Sequence, residues 1–350
     1  MASVIQPLPA GPMDIIGDVH GELDALQALL RHLGYDEHGN HPQGRHLVFV
    51  GDLVDRGLDC PGVIRTVQHL VCAGNAFAVL GNHELNVLLG QAKDGTGWFL
   101  AAAREKDRKY GNYRCCPEED REAVLSFLGS LPLALVRDDI RVVHAAWDAG
   151  ALAEVAHLQT HETLQAFTDH EAKVIEQAKS EGLFELAASE KAGSKLSDKS
   201  IQPPMLHALA RLESMKQMGN PIKRLTSGIE RPGAAPFYSS GSWRFVERVK
   251  WWNDYDEIVP VVIGHYWRRI RPTDRAALGK GDPDLFTDVQ PNDWHGKHRN
   301  VFCIDYSVGG RWSERAAGVT GPSEFKLGAL RWPERTVMLD DGSEFPTDAH

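Results

Sequence analysis

Short apolar runs alternate with helix-like segments over roughly the first 90 residues of the chain. Residues 13–16, 46–50 and 76–80 are apolar runs of strand length. Between them, over 23–33 and 63–71, leucine, isoleucine and valine recur every three or four residues, which predicts two amphipathic helices. This strand–helix order predicts a parallel sheet with helical crossovers.

Each of these three runs leads to a glycine that is followed by a polar residue. The residues after the glycines are Asp18, Asp52 and Asn82. In open α/β sheets, ligands bind beyond the carboxyl ends of the strands. We therefore expect three separate strand ends to present polar groups to one common edge.

Two later apolar runs lead to histidine. Residues 133–136 and 140–143 predict two strands, and His144 follows the second. The run 258–263 leads through a glycine to His265. Three more runs predict strands, the last two as a hairpin: 301–304, 327–332 and 336–339.

The middle of the chain has a different composition. The stretch at about 150–220 is rich in alanine, leucine, glutamate, lysine and glutamine and poor in glycine and proline, which predicts helices. We therefore expect a single domain over residues 1–350 with a helical insertion at about 150–220. The following segment, 220–245, is rich in glycine, proline and serine and predicts loops.

Composition and charge narrow the class of protein. The chain has 350 residues, 42% hydrophobic and 25% charged, which is ordinary for a soluble globular protein. Its formal net charge of −10 argues against a bulk nucleic-acid binder, which would carry a basic surface. A negatively charged substrate remains compatible, because a bound metal ion can reverse the local field.

Cysteine usage and the N-terminal region bear on localisation. The five cysteines are scattered and form no C-x-x-C motif, so neither a disulfide framework nor a thiolate zinc site is expected. This pattern favours a reducing, cytoplasmic setting. The N-terminal region has no charged leader and no long apolar run, so we expect neither a signal peptide nor a membrane span.

The polar residues at the strand ends are oxygen and imidazole-nitrogen donors, a mixture that suits Mn, Fe, Zn or Ni. They are Asp18, His20, Asp52, Asn82, His83, His144 and His265. The set is too large for one ion and suits two ions that share one carboxylate. Two such cations can stabilise both the entering and the leaving oxygen of a phosphoester.

Each of these residues also has an ordinary structural interpretation. Asn82 alone is compatible with an Asx-turn, and a single histidine after a strand is more often a buried core residue than a ligand. Their joint occurrence at five strand ends favours the metal site.

Five motifs carry these residues: GDVHG at 17–21, GDLVDRG at 51–57, GNHE at 81–84, HAAW from 144 and GHYW from 264. In order and in their spacing of about 30 residues, the first three resemble the signatures of the calcineurin-like metallophosphoesterases, and more narrowly of the phosphoprotein phosphatase branch. The resemblance implies an α/β fold, with a central β-sandwich flanked by helices and a dinuclear metal centre at the strand ends.

The resemblance also implies a role for each ligand. Two residues would bind the first ion, one would bridge the ions, and three would bind the second ion. In that order the residues are Asp18 and His20, then Asp52, then Asn82, His144 and His265.

Four further residues take catalytic or substrate-binding roles by the same resemblance. His83 would be the general acid, held by Asp55, and Arg56 would bind phosphate oxygens. The branch usually has a second phosphate-binding arginine, for which Arg231 in the segment ERPG is the candidate.

The implied activity is that of a metal-dependent phosphomonoesterase, with manganese as the favoured metal. A metal-bridging hydroxide would attack the phosphorus of a phosphorylated protein side chain or a small phosphate ester. GNHELN also resembles, in part, the bacterial diadenosine tetraphosphate hydrolases, so hydrolysis of dinucleoside polyphosphates is the alternative. Four aromatic residues are candidates to stack on a base in that case: Trp98, Trp147, Tyr266 and Trp267.

A non-catalytic binding protein on the same scaffold is a third interpretation. Such proteins lose metal ligands or the general acid. All six ligand positions are present in this chain, as are Asp55 and His83, so an enzyme is favoured.

Overall fold

The computed structural model describes residues 2–271, 275 and 281–348. Its strands are β1 (Ile5–Pro7), β2 (Met13–Ile16), β3 (His46–Phe49), β4 (Ala76–Ala78), β5 (Ala134–Arg137), β6 (Ile140–Val143), β7 (Glu230–Ser239), β8 (Ser242–Arg248), β9 (Val261–Ile263), β10 (Val301–Cys303), β11 (Gly328–Trp332), β12 (Thr336–Leu339) and β13 (Glu344–Pro346). Its α-helices are α1 (Leu23–Leu33), α2 (Cys60–Cys72), α3 (Asn82–Leu88), α4 (Arg104–Asp107), α5 (Arg121–Gly129), α6 (Ala149–Val155), α7 (Thr163–Ser180), α8 (Leu183–Lys191), α9 (His207–Met218), α10 (Pro221–Ser227) and α11 (Arg311–Ala316).

The first half of the chain forms the parallel part of a six-stranded sheet. Strand β2 pairs with β3 and β3 with β4, each in parallel, with α1 and α2 as the connections. The full strand order is β13-β12-β11-β2-β3-β4. The parallel core predicted from the alternation of strands and helices is therefore confirmed. The late hairpin is confirmed as well, since β11 and β12 pair antiparallel.

A second sheet has the order β1-β5-β6-β9-β10 among the described residues. Side chains of the two sheets share one buried cluster, in which Ile15 and Val48 of the first sheet meet Val142, Val262 and Phe302 of the second. Helices α1 and α2 contribute to the other large apolar cluster. The α/β fold with a central β-sandwich and flanking helices is thus confirmed.

Strand β9 is shorter than the apolar run that predicted it. The run covers 258–263, but the strand covers only Val261–Ile263. Ile258 is 83% exposed, so it lies outside the sandwich core. The three residues of β9 are buried and place the following Gly264 and His265 at the edge of the sheet.

The prediction of helices at about 150–220 is confirmed, since α6 to α9 lie there and α10 follows directly. Three of these helices form a small apolar cluster of their own, around Ala178, Leu183 and Leu212. The assignment of this stretch as an insertion into a single domain stays a prediction. Among the described residues, no helix combines the length and apolarity needed to cross a lipid bilayer.

The prediction of loops over 220–245 is wrong. Residues 221–227 form α10, and β7 and β8 form an antiparallel two-stranded sheet. Its register shifts between Pro232 and Phe237, because a proline cannot donate to a ladder and is tolerated at irregular or outward-facing positions. Phe245 of β8 is buried against α9, which compensates for the weak strand composition.

A buried charge network fixes the end of β2 that lies farthest from the predicted site. The Asp14 carboxylate accepts hydrogen bonds from Tyr35 Oη at 2.9 Å, Arg45 Nε at 3.0 Å and Arg331 Nε at 2.9 Å. Arg45 also pairs with Glu334 at 2.7 Å. These bonds join β2 to the segment between α1 and β3 and to β11, so they hold the strand that leads to Asp18.

Asp14→Ala should therefore destabilise the fold. The substitution leaves the buried Arg45 without one of its two counter-charges. We expect the free energy of unfolding in urea to fall by about 3 kcal/mol, the lower end for a broken buried ion pair. Asp138→Ala, at an exposed position, should change it by less than about 0.5 kcal/mol. Equal effects of the two substitutions would contradict this role.

Candidate metal centre

The predicted ligands follow strands of both sheets. Asp18 and His20 follow β2, Asp52 follows β3, Asn82 begins α3 after β4, and His144 and His265 follow β6 and β9. The two sheets thus present their ligand-bearing ends to the same place. The side chains are buried except for that of Asn82, which is half-buried.

Two groups of donor atoms form at this edge and share one carboxylate. The first contains His20, Asp52 and His83, and the second contains Asp52, His144 and His265. Within each group the donor atoms lie within 4.8 Å of one another. Asp52 is therefore the one residue common to both candidate groups.

The remaining predicted ligands lie beside these groups. Asp18 Oδ2 is 3.9 Å from His20 Nε2. Asn82 Oδ1 is 3.2 Å from His144 Nε2 and 2.8 Å from His265 Nδ1. The structure thus brings together all six predicted ligands. It also brings His83, the predicted general acid, close enough to Asp52 to belong to the first group.

Glycine is required where the backbone passes these carboxylates. A Cβ on Gly81 would lie 2.4 Å from Asp52 Oδ1, and one on Gly264 would lie 2.0 Å from Asp18 Oδ1. Both distances are far below van der Waals contact. The glycines before Asn82 and His265 therefore allow the strand ends to approach the carboxylates.

Several site residues other than glycine have left-handed backbone conformations, which L-residues rarely adopt. Their φ angles are 47° for His20, 49° for Asp52, 73° for Asp55, 70° for Arg56 and 71° for His265. Such conformations cost of order 1–3 kcal/mol each and cluster at functional sites. The GDLVDRG turn thus uses strained backbone to aim three functional side chains, those of Asp52, Asp55 and Arg56.

Backbone carbonyls orient two of the imidazoles. Nδ1 of His20 lies 3.0 Å from the carbonyl of Val54, and Nδ1 of His144 lies 2.7 Å from that of Val50. With Nδ1–H as the donor, each ring keeps a lone pair on Nε2, as a metal-binding histidine requires. His265 Nε2 is buried and has no hydrogen-bond partner among the described residues, which fits an atom that binds a cation.

The protonation states of the buried site residues are also compatible with two bound cations. Burial lowers the pKa of His20 and of His265 well below the usual value, which keeps both rings neutral and able to bind metal. Burial and the neighbouring Asp305 raise the pKa of Asp18 well above its usual value. The Asp18 carboxyl group therefore has too little positive charge near it to stabilise its ionised form.

His144 provides part of the missing charge. Burial favours a higher pKa for Asp52, but the charges of His144 and His83 outweigh it and hold that pKa well below its usual value. For His144, burial is outweighed by Asp52, which raises the pKa to about 10. A metal ion bound between these two residues would take over this role.

Glu84, which the sequence analysis did not single out, holds the two metal-binding loops together. One of its oxygens accepts from the backbone N–H of Asp52 at 2.8 Å and of Gly81 at 2.9 Å. The other accepts from Leu53 at 2.8 Å and Val54 at 3.3 Å. The glutamate of the GNHE motif therefore ties the Asp52 turn to the start of α3.

Asp55 orients His83 and is itself held by a tryptophan. Asp55 Oδ2 is 2.5 Å from His83 Nδ1, and Trp98 Nε1 donates to Asp55 Oδ1 at 2.7 Å. Trp98 is 1% exposed, so it cannot serve as the base-stacking platform considered from the sequence. Its function in the structure is to fix the carboxylate behind His83.

Arg56 contacts both histidines of the first donor group. Its Nη1 donates to His20 Nε2 at 2.7 Å and its Nη2 to His83 Nε2 at 3.0 Å. The guanidinium carbon is 4.7 Å from the centre of the Trp267 ring. Trp267 thus stacks on the arginine predicted to bind phosphate, and Tyr266, another aromatic candidate, is buried.

Asp305 is a site residue that the sequence analysis left without a role. It follows β10, is 1% exposed, and accepts hydrogen bonds from the backbone N–H of Trp267 at 2.7 Å and Ser307 at 2.8 Å. The signal was weaker than for Asp18 and Asp52, because Asp305 follows the apolar run 301–304 directly, with no glycine between them.

The candidate for a second phosphate-binding arginine lies on the β7–β8 hairpin. Arg231 is 67% exposed and its Nε is 2.8 Å from Glu247 Oε1. Arg248, at the end of β8, is also exposed, and its charge acts on the site at a distance. After burial, its charge is the largest influence that lowers the pKa of His265.

The model of the calcineurin-like phosphoesterase family matches residues 11–178. This region contains Asp18, Asp52, Asn82 and His144, and it ends before His265. Over these residues, just under half of the chain, the sequence is similar to the calcineurin-like phosphoesterases.

The curated relatives of the chain include two kinds of bis(5'-nucleosyl)-tetraphosphatase. The symmetrical enzyme of Ralstonia nicotianae is 33% identical over 149 residues, which are 41% of this chain and 47% of that protein. The asymmetrical enzyme PrpE of Halalkalibacterium halodurans is 53% identical over 73 residues, 20% of this chain and 30% of that protein. The chain therefore matches less than half the length of these relatives.

Solved structures give a weaker likeness. The cold-active protein-tyrosine phosphatase of a psychrophilic Shewanella species aligns over 98% of this chain and 83% of that one. The sequence identity is 17% and the TM-score 0.47, which is too low for any conclusion about function.

Glu84→Gln should weaken metal binding. The amide nitrogen of glutamine cannot accept from the backbone N–H groups that now point at the carboxylate. We expect the affinity for Mn²⁺, measured by calorimetric titration, to fall about 10–100-fold, as for other residues that orient ligands. Glu122→Gln, at an exposed position in α5, is the matched control. Unchanged Mn²⁺ affinity in Glu84→Gln would contradict the assignment.

Proposed function

We propose that this chain is a metal-dependent phosphoester hydrolase. The observation that supports this most directly is the pair of donor groups that share Asp52 at the sheet edge. The match of residues 11–178 to the calcineurin-like phosphoesterase family supports the same reaction class. The cytoplasmic location inferred from the cysteines stays a prediction.

The residues would hold two divalent cations as the sequence indicates, with manganese the favoured metal. Asp18 and His20 would bind one ion, Asp52 would bridge, and Asn82, His144 and His265 would bind the other. When bound, two such cations lower the pKa of a water towards neutrality and stabilise charge on the entering and leaving oxygens. The chain's contribution is to hold the donors in place at buried positions.

His83 would donate a proton to the leaving oxygen. Asp55 stabilises the protonated imidazole and is itself oriented by Trp98. Arg56 now donates to His83 Nε2, the atom that would carry the transferred proton. Arg56 must therefore move its guanidinium from His83 to the substrate phosphate, for which its paired N–H groups are suited.

For the substrate, we propose a dinucleoside polyphosphate. The names of the curated relatives favour this class, and a polar cavity beside Asn82 fits a small ligand. A phosphomonoester, such as a phosphorylated serine, threonine or tyrosine, is the second candidate. It is supported by the GDVHG, GDLVDRG and GNHE motifs, which resemble those of the phosphoprotein phosphatases.

A panel of substrates tests the proposal. The manganese-loaded protein would be assayed with diadenosine tetraphosphate, a phosphoserine peptide, a phosphotyrosine peptide and p-nitrophenyl phosphate. We expect hydrolysis, with the highest kcat/KM for the dinucleotide. A higher kcat/KM for a phosphopeptide would favour the second candidate, and failure to hydrolyse any of the four would refute hydrolase activity.

His83→Asn distinguishes two possible roles of His83, general acid and metal ligand. The second role has to be tested because His83 also lies in the first donor group. For a general acid, kcat on phenyl phosphate should fall about 10²–10⁴-fold. The loss on 2,4-dinitrophenyl phosphate should be much smaller, because that leaving group needs no proton. The Mn²⁺ content should stay unchanged. Loss of one bound ion would instead make His83 a ligand.

Arg248→Ala and Arg231→Ala together identify the second phosphate-binding arginine. We expect Arg248→Ala to raise the inhibition constant of inorganic phosphate about tenfold, the effect of one charge-assisted hydrogen bond. Arg231→Ala should leave that constant nearly unchanged, because its side chain points to solvent and pairs with Glu247. A larger effect from Arg231→Ala would restore the sequence-based candidate.

A further inference from the structure

A cavity begins at the metal-site residue Asn82 and extends away from the predicted ions. Its volume is about 290 Å³, close to the lower end of the range for small-molecule pockets. One wall comes from α3 and the segment after it, including Asn86 and Lys93. The opposite wall comes from the helices at 150–227, including Glu171 and Gln217.

The chemistry of the walls is unusual for a site next to a cation pair. Among the charged residues of the lining there are two lysines, Lys93 and Lys223, and one carboxylate, Glu171. Lys223 Nζ lies 2.7 Å from Glu171 Oε2, so this pair is internally neutralised. Lys93 therefore leaves the cavity with one positive charge in excess, although the whole chain carries a net charge of −10.

The uncharged part of the lining combines amides with apolar surface. Asn86 supplies an amide group, which can pair with both a donor and an acceptor on the edge of a nucleobase. The amide nitrogen of Gln217 already donates to the carbonyls of Lys223 and Gly228. Leu85, Leu89 and Phe167 supply the apolar surface that a planar base can contact. A short cavity of this kind fits one nucleoside better than several residues of an extended peptide.

We infer that this cavity is a subsite for a nucleoside phosphate, the part of the substrate that extends beyond the reacting phosphoryl group. The inference rests on the proposed function and adds to it a specificity site built by the helices at 150–227. Asn86 would contact the base, and Lys93 would contact a phosphate that lies outside the metal centre.

Two variants change the subsite in different ways. Lys93→Gln removes the excess charge at an exposed position, where the fold tolerates substitution. Asn86→Phe fills the cavity with a larger apolar side chain. Lys173→Gln, an exposed lysine of α7 outside the lining, is the matched control. Thermal unfolding of each variant checks that it is folded.

The first measurement is the ratio of kcat/KM for diadenosine tetraphosphate to kcat/KM for p-nitrophenyl phosphate, with manganese present. We expect this ratio to fall about tenfold in Lys93→Gln, the effect of one charge-assisted hydrogen bond. It should fall further in Asn86→Phe and stay constant in Lys173→Gln. An unchanged ratio in both subsite variants would overturn the inference, as would a matching loss for a phosphopeptide.

The second measurement does not depend on hydrolysis. AMP should bind to the metal-free wild-type protein when binding is measured by equilibrium dialysis. This binding should be lost in Asn86→Phe and kept in Lys173→Gln. If the wild-type protein hydrolyses none of the substrates but shows this pattern, the subsite stands and the proposed reaction fails. If it hydrolyses p-nitrophenyl phosphate but AMP does not bind, the reaction stands and the subsite is overturned.

Discussion

The structure depends on the burial of several carboxylates at one edge of the β-sandwich. Asp18, Asp52 and Asp305 are each no more than 2% exposed, and burial together with the charges of Asp305 and Asp52 raises the pKa of Asp18. Uncompensated negative charge at low dielectric is costly. His144 offsets part of it in the metal-free chain, and the neutral His20 and His265 offset none. Such an arrangement is one that bound cations would stabilise.

The surrounding residues make this concentration of charge possible. Glu84 gathers the N–H groups of the Asp52 turn, and Gly81 and Gly264 let the backbone pass within reach of the carboxylates. Left-handed backbone at His20, Asp52 and His265 turns their side chains towards one point. These hydrogen bonds, glycines and backbone conformations thus position the predicted metal ligands.

Much of this centre could be predicted from the sequence because the pattern is local. An apolar strand, a glycine and a polar residue occupy consecutive positions, so Asp18, Asp52, Asn82 and His265 were identified without structural information. Trp98 could not be identified this way, since its partner Asp55 lies 43 residues earlier in the chain. The β7–β8 hairpin was missed because its glycines and prolines indicate loops, whereas packing of Phe245 against α9 favours strands.

The metal content of the protein and of Asp52→Asn tests the central claim most directly. After loading with Mn²⁺ and dialysis, mass spectrometry of the metal should give two ions per wild-type chain. Asp52→Asn should retain fewer than one, because the amide cannot bridge two cations with two anionic oxygens. Two ions retained by Asp52→Asn, or none bound by the wild-type chain, would contradict a centre built around this carboxylate.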